Sequence, residues 1–380
     1  MAPSPVEGLT LADFCPGRLT LARQRRGMTK AELATHICLS AGMVSLFESG
    51  KQIPTNDTID RLIPVLQFPR SFFYAPPLEE IDETSVSFRS MRSISARLKE
   101  KMLAASSVAS GLISPHFRSL FRLPALDLPD LNGETPEAAA EFLREHWQLG
   151  GRPISNMVHL LESKGVEVYW LNEPSNCLDA VSFRRDELPF VTLNLHKKAG
   201  ERGRFDAAHE LGHLVLHRQA KRLDEKEVEQ EAHRFASAFL LPEAPFREMA
   251  PRLPTLTDYF PLKSYWKVSI QAMVRRSKDL GIITPWHYEV AFKEIGRRRW
   301  RAEEPNPLER ERSRLHALIY DKLAERRVDA KDFAARLGIT PPDLLEQTPE
   351  FERLQAQVKQ PDERTLNHLR LVRGGLAATG

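Results

Sequence analysis

The chain has 380 residues, of which 42% are hydrophobic and 28% are charged. This length suits two or three domains, and the composition excludes a fibrous or broadly disordered protein. Lys and Arg number 54 against 51 Asp and Glu, which gives a formal net charge of +3. So small an excess excludes a protein that binds nucleic acid through global charge alone, although a local basic site stays open.

Features that the sequence lacks indicate its compartment. No apolar run reaches the roughly 18 residues of a membrane span. Residues 1–15 contain no basic stretch followed by an apolar one, which argues against a secretory signal. Cys15, Cys38 and Cys177 lie far apart and form no C-x-x-C pair. We therefore expect a cytoplasmic protein with no membrane partner.

Pro-rich and charged segments divide the chain into stretches that differ in composition and in the periodicity of their apolar residues. They predict an N-terminal domain at 1–75, a helical linker at 76–135, a central domain at 136–302 and a helical C-terminal domain at 303–380. Helical periodicity dominates, but β-rich runs occur at 166–171, 178–184 and 190–195. The fold class we expect is α+β, mainly helical, with one small sheet. A peptide could add to such a sheet as an extended strand, and a purely structural sheet is the alternative.

Residues 18–74 contain the pattern of two helices joined by a tight turn. Thr29 precedes the first helix as a cap, and Glu32 three residues later completes a capping box. After the turn, Ser40 caps the second helix, which ends at Gly50. This arrangement is typical of a helix-turn-helix, whose second helix enters the major groove of DNA. A plain helical bundle is the alternative.

The same segment resembles the Xre/phage-repressor family. The resemblance rests on Arg18–Leu19, Ala22–Arg23, Arg26–Gly27, Glu32–Ala34, Val44–Ser45, Glu48, Gly50, Pro54 and Thr58. It implies a five-helix head that binds DNA. Xre-type heads commonly dimerise, so the resemblance also implies a homodimer, although no dimer seam is visible in the residues.

Two kinds of side chain are candidates for DNA contact. Basic residues suit phosphates, whereas the exposed positions of the second helix are small or apolar, and direct base reading usually needs Arg, Asn or Gln there. The candidates are Arg18, Arg25, Arg26, Thr29, Lys30, Ser40, Ala41, Gly42, Ser45 and Lys51. We expect DNA binding with weak base specificity, or a head that is partly directed at protein.

Residues 209–213 read H-E-x-x-H, a pattern typical of metallopeptidases. Residues i and i+4 of a helix lie about 40° apart, so His209 and His213 can bind one ion from the same face. Glu210 projects beside them and can deprotonate a metal-bound water. Imidazole nitrogens, a carboxylate and an open position for water suit Zn²⁺.

The third metal ligand has to come from another segment, and the helix predicted at 227–242 offers Glu229 and Glu231. At about 100° per residue, Glu229 lies at the edge of the apolar face of that helix, and Glu231 lies off it. This favours Glu229. His233, one turn further, could support a ligand or cap the edge of the face. His217 extends the stripe of the two histidines and could steady an oxyanion or act as a polar cap.

The constellation resembles the ImmA/IrrE family of metallopeptidases. The resemblance rests on Ala208–His213 and Glu229–Pro242, and it continues at 87–90, 139–147, 152–154, 265–270 and 279–283. His233 stands where that family usually has Asn or Asp. The resemblance implies a zincin-like central domain and an Xre-type repressor as the substrate. Together with the head, the whole chain is similar to fused Xre–ImmA/IrrE regulators.

The last quarter of the chain carries weaker signals. Residues 331–340 look like half of a helix-turn-helix, but no convincing second helix follows. A small helical docking or lid domain is therefore favoured over DNA binding. The run at 297–301 contains four arginines and could meet acidic partners or phosphates, although charge runs are usually solvated faces.

These residues leave functions of different classes open. In the first, the chain is a zinc metallo-endopeptidase that cleaves a repressor-type protein, or its own N-terminal domain in trans. Cleavage would switch transcription under stress or on induction of a mobile element. In the second, the chain is a transcriptional regulator whose zinc domain senses a ligand or protein without proteolysis. The intact Glu210 favours the first, and the antitoxin-protease half of a phage or toxin system fits the same motifs.

Overall fold

A computed structural model describes most of the chain. The described residues are 14–79, 81, 86, 95–174, 179–196, 199–218, 225–251, 254–301 and 303–357. The resemblance noted at 87–90 and the third cysteine, Cys177, lie outside these ranges. Among the described helices, none combines the length and the apolar character needed to cross a membrane.

The head is helical in the order that the sequence predicts. Its elements are α1 (Pro16–Arg25), α2 (Lys30–His36), α3 (Ala41–Glu48), α4 (Asn56–Leu66) and a 3₁₀ helix at Arg70–Tyr74. The Thr29 hydroxyl accepts a hydrogen bond from the Glu32 N–H, and the Glu32 carboxylate accepts one from the Thr29 N–H. Ser40 caps α3. The predicted capping box and the five-element helix-turn-helix head are therefore confirmed.

A long helical segment follows the head. It consists of α5 (Ala96–Val108), a π-helical turn at Ala109–Ile113 and α6 (Ser114–Leu120). Met102, Ala105 and Val108 are buried in a core that they share with the head, one face of the sheet and the C-terminal helices. Residues 96–120 of the segment predicted as a linker are thus helical, and one face of them is buried in this core.

The sheet has three strands, β1 (Glu167–Leu171), β2 (Ala180–Arg185) and β3 (Leu188–Asn194), in the order β1-β3-β2. β1 is parallel to β3 and β2 is antiparallel to it. The predicted strands are confirmed to within two residues at their ends. Alternate side chains face opposite sides, so Tyr169 joins the core described above and Trp170 joins a second core around the central helices.

The central helices surround the second core. They are α7 (Pro136–His146), α8 (Met157–Ser163), α9 (Gly200–Leu216), α10 (Glu225–Leu240), α11 (Glu243–Met249), α12 (Tyr259–Trp266), α13 (Ile270–Asp279) and α14 (Pro285–Arg297). Gly212 lets α9 and α10 approach closely, since a Cβ there would lie 3.0 Å from Phe235 Cδ1 and 3.3 Å from Ala232 Cα. The spacing of these two helices therefore depends on a residue without a side chain.

The C-terminal helices are α15 (Arg314–Glu325), α16 (Ala330–Arg336), α17 (Pro341–Gln347) and α18 (Glu352–Gln357). Two carboxylates join them to the central helices. Glu162, at the end of α8, accepts hydrogen bonds from the first N–H groups of α15, and Glu311, just before α15, accepts them from the first N–H groups of α8. Each carboxylate satisfies helix-terminal donors that would otherwise need water. The mainly helical α+β fold is confirmed.

Candidate metal centre

Helix α9 presents His209 and His213 on one face, and helix α10 presents Glu229 opposite them. The Glu229 carboxylate oxygens lie 3.3 Å from Nε2 of each histidine. One ligand atom of each residue lies within 4.8 Å of the others. Two imidazole nitrogens and a carboxylate oxygen, converging on one point, match the donor set of a catalytic zinc site. These three side chains therefore fit a zinc ion chemically.

The protonation states of His213 and Glu229 suit a cation, whereas the pKa of His209 is raised, because the nearby carboxylates of Glu229 and Glu210 outweigh its burial. Burial lowers the pKa of His213 to about 3, so its imidazole is neutral near pH 7. Burial by itself raises the pKa of Glu229, but hydrogen bonds with His209 and His213 outweigh it and hold that pKa below its usual range. A neutral imidazole and an ionised carboxylate are the forms that bind metal.

Glu231 lies outside the cluster and contacts His217 instead. His217 Nε2 lies 2.9 Å from the Glu231 carboxylate, and His217 Nδ1 lies 3.0 Å from His213 Nδ1. If His213 uses Nε2 as a ligand, its Nδ1–H donates to His217, whose Nε2–H then donates to Glu231. This chain would orient the His213 ring, as outer partners of metal ligands do. His217 is thus placed as the partner of His213, and Glu231 as the partner of His217.

Glu210 is only 3% exposed and is held by a residue that the sequence analysis did not single out. The Ser182 hydroxyl, on β2, donates a hydrogen bond of 2.6 Å to the Glu210 carboxylate. Ser182 alternates with Val181 and Phe183, which face the opposite core. In the sequence, this alternation already predicts that Ser182 faces the side of the sheet opposite to Val181 and Phe183. It does not predict which helix the Ser182 side chain contacts.

His233 lies at the rim of the cluster. Its ring centroid lies 4.5 Å from that of His209 and 5.8 Å from that of Phe205. It also lines a cavity of about 810 Å³ between α9, α10 and α13, whose wall includes Phe205, Arg275 and Gln271. The three clustered ligands do not line this cavity, so it adjoins the centre on the His233 side.

The head exposes some of the predicted DNA-binding residues and turns others inward. Thr29, Lys30, Ser40, Ala41, Gly42 and Lys51 are exposed, and Ser45 is half-buried. Arg18 is 4% exposed and donates to the Pro76 carbonyl. Arg25 and Arg26 form ion pairs with Asp343 of α17, at 3.5 and 2.6 Å.

Arg25 and Arg26, which we expected to suit phosphates, thus face carboxylates of the same chain. Arg25 also pairs with Glu346 at 2.9 Å, and Arg26 donates to the Leu66 carbonyl at the end of α4. The sequence showed the cations, but it did not show their carboxylate partners, of which Asp343 lies 317 positions beyond Arg26. Among the candidates for DNA contact, the first residues of α2 and α3, together with Lys30 and Lys51, stay exposed.

Comparisons with known families match these two regions. Residues 161–278 match the IrrE N-terminal-like domain, and residues 17–71 match a helix-turn-helix domain. The first range contains all three clustered ligands and Glu210, and the second contains α2 and α3. No curated protein matches the chain. The expected fusion of a helix-turn-helix head with an ImmA/IrrE-type domain is confirmed, and that domain has a metallopeptidase-type fold.

Proposed function

We propose that the chain is a zinc-dependent endopeptidase joined to a DNA-binding head, and that it cleaves a repressor-type protein in the cytoplasm to switch transcription. The observation that carries this proposal is that ligand atoms of His209, His213 and Glu229 lie within 4.8 Å of one another. Glu210 lies on the same helix as the two histidines. These three would hold zinc. When bound, zinc would supply a Lewis acid that activates water and polarises the scissile carbonyl.

Glu210 moves the proton in this scheme. Its carboxylate accepts a proton from the attacking water and delivers it to the nitrogen of the leaving amine, so that peptide and water become an acid and an amine. The Ser182 hydrogen bond holds the carboxylate in one orientation, which favours proton transfer to a fixed point.

The sheet supports an extended peptide as the substrate. β2 is an edge strand that pairs with β3, and Ser182 of β2 touches Glu210. A peptide that adds alongside β2 would run past that carboxylate. The Xre-type repressor, induction by stress or by a mobile element, and a homodimer remain proposals that rest on the family resemblance.

The test is cleavage of candidate Xre-type repressors by the purified protein, with and without zinc chelation. Glu210→Gln should lower the cleavage rate at least about 100-fold, because it removes the general base. Glu227→Gln, an exposed position on α10, is the matched control and should keep full activity. Cleavage that survives Glu210→Gln would overturn the mechanism. If the protein binds zinc and a specific promoter but cleaves no partner, it is the non-proteolytic regulator.

A further inference from the structure

The C-terminal helices repeat the geometry of the head at a constant spacing along the chain. Helix α2 spans 30–36 and α16 spans 330–336, α3 begins at 41 and α17 begins at 341, and the preceding helices end at 25 and 325. Every one of these boundaries differs by 300 positions. The α15–α17 segment is therefore a second helix-turn-helix unit, and the half motif seen at 331–340 is complete in three dimensions.

The turns of the two units share their backbone hydrogen bonds. Leu39 N–H donates to the Ala34 carbonyl at 2.9 Å, and Ile339 N–H donates to the Ala334 carbonyl at 3.2 Å. The residue before each donor has a left-handed φ, of 56° at Cys38 and 70° at Gly338. The cores also correspond, with Leu19, Leu33, Ala34, Ile37 and Val44 in the head matching Ile319, Phe333, Ala334, Leu337 and Leu344, all buried.

The two units use their second helices in opposite ways. In the head, the first residues of α3 are exposed, as a DNA-reading helix requires. In the C-terminal unit, α17 lies against the body of the protein, where Gln347 is 1% exposed and donates to the Ala105 carbonyl of α5. Asp343 of α17 has a side chain that is only 1% exposed. Helix α17 carries acidic side chains and packs against the rest of the protein, so it is unsuited to binding DNA.

The head contributes two cations to the surface that faces α17. Arg25 pairs with Asp343 and Glu346, and Arg26 makes two hydrogen bonds to the Asp343 carboxylate, at 2.7 and 2.6 Å. The contact is not a pseudo-symmetric dimer of the two units, because the head uses the end of α1 whereas the C-terminal unit uses α17. The side chains are complementary in charge, and their burial makes each partner costly to remove.

We propose that the C-terminal unit is a helix-turn-helix converted to protein binding, and that its partner is the head of the same chain. Helix α17 presents carboxylates to Arg25 and Arg26 and thereby fixes the head against the sheet and α5. Breaking this contact frees the head to move and exposes Arg25.

Hydrogen exchange of the full-length protein tests the contact directly. In Asp343→Asn/Glu346→Gln, which removes two charges and keeps the side-chain shapes, amides of α1–α3 should exchange about tenfold faster. Asp321→Asn/Glu325→Gln removes two charges from exposed ion pairs of the same unit and should leave the head unchanged. Unchanged exchange in the head of the first variant would overturn the proposal.

General unfolding of the C-terminal unit has to be separated from release of the head. If α15 and α16 keep their protection while the head loses it, the contact is the cause. If α15 and α16 also lose protection, the single variant Glu346→Gln distinguishes the two explanations, since Asp343 remains and the C-terminal unit stays folded. In that variant, faster exchange of the head supports the proposal, and no change contradicts it.

Binding to a random-sequence DNA duplex gives a second readout, which rests on the proposed DNA-binding role of the head. The Asp343→Asn/Glu346→Gln variant should bind about tenfold more tightly than the Asp321→Asn/Glu325→Gln control, and the gain should vanish when Lys30 and Lys51 are replaced by Ala. Equal affinity of these two variants for the duplex would contradict the release of the head.

Discussion

The metal centre and the head differ in where the partners of their polar side chains come from. His209 and His213 meet Glu229 of the next helix, brought close by the contact of α9 with α10 at Gly212. Arg26 meets Asp343, which lies 317 positions further along the chain. Helical periodicity can predict a site that two neighbouring helices form. It cannot predict whether a surface stays exposed, because any later segment of the chain can cover that surface. Variants at matched positions in the two regions test this difference.

The largest effect is expected at the metal centre. Glu229→Ala should lower zinc affinity by more than the roughly 100-fold that loss of an outer partner costs, because it removes a ligand. Glu231→Ala, which removes only the partner of His217, should cost about 10- to 100-fold. Zinc titration with a competing chelator measures both. If Glu231→Ala is the more damaging, the assignment of the ligand is wrong.

In the head, Arg25→Met should lower the free energy of unfolding by about 3 kcal/mol, because it removes a cation from the buried Asp343 carboxylate and from the half-buried Glu346 carboxylate. Lys30→Met, at an exposed position of the same head, should change it by less than about 0.5 kcal/mol. Urea denaturation compares the two. Equal stability of both variants would mean that the inward arginines are not structural.

The approach of α9 to α10 is tested by Gly212→Ala. The added methyl meets Phe235 and the backbone of Ala232, so we expect a loss of about 2 kcal/mol in the free energy of unfolding. Gly203→Ala is the control, since nothing lies within 4 Å of a Cβ there on the same helix. Zinc affinity should fall with the first variant alone. A Gly212→Ala protein of unchanged stability and affinity would show that the helix spacing does not set the ligands.

The smallest expected effect concerns Ser182. Ser182→Ala removes the hydrogen bond to Glu210 and should lower kcat/KM for repressor cleavage about tenfold, the loss of one modest hydrogen bond to a charged group. Ser182→Thr keeps the hydroxyl and should restore part of the rate. Zinc content should be the same in all three proteins. Unchanged kcat/KM in Ser182→Ala would show that Glu210 needs no support from β2.

Local features of the fold were readable in the sequence because they depend on neighbouring residues. Thr29 and Ser40 cap the helices that they were expected to cap, and the β-rich runs became β1, β2 and β3. Helical phase separated Glu229 from Glu231, and in the structure Glu229 lies 3.3 Å from both histidines whereas Glu231 lies beside His217. Each of these depends on contacts within a few residues or on one regular period.

Contacts between distant segments could not be read in the same way. The hydroxyl of Ser182 faces Glu210 because β2 packs on α9. The strand period of β2 and the helical period of α9 show which face each side chain lies on, but they do not show which residue it contacts. The second helix-turn-helix was seen only in part, because α17 carries Asp343 and Glu346 where a DNA reader would carry donors. Its identity became visible in the backbone, whose boundaries and turn repeat those of the head.

The sequence by itself determined the helix-turn-helix head, the H-E-x-x-H helix and the faces on which its candidate ligands lie, since motif spacing and helical period fix which side chains share a face. The tertiary structure alone decided which cations stay open to solvent. Arg25 and Arg26 look like phosphate contacts along the chain, but their carboxylate partners on α17 reach them only when the last helices pack back against the first. Electrostatic pairing depends on distance in space, which the order of residues does not encode.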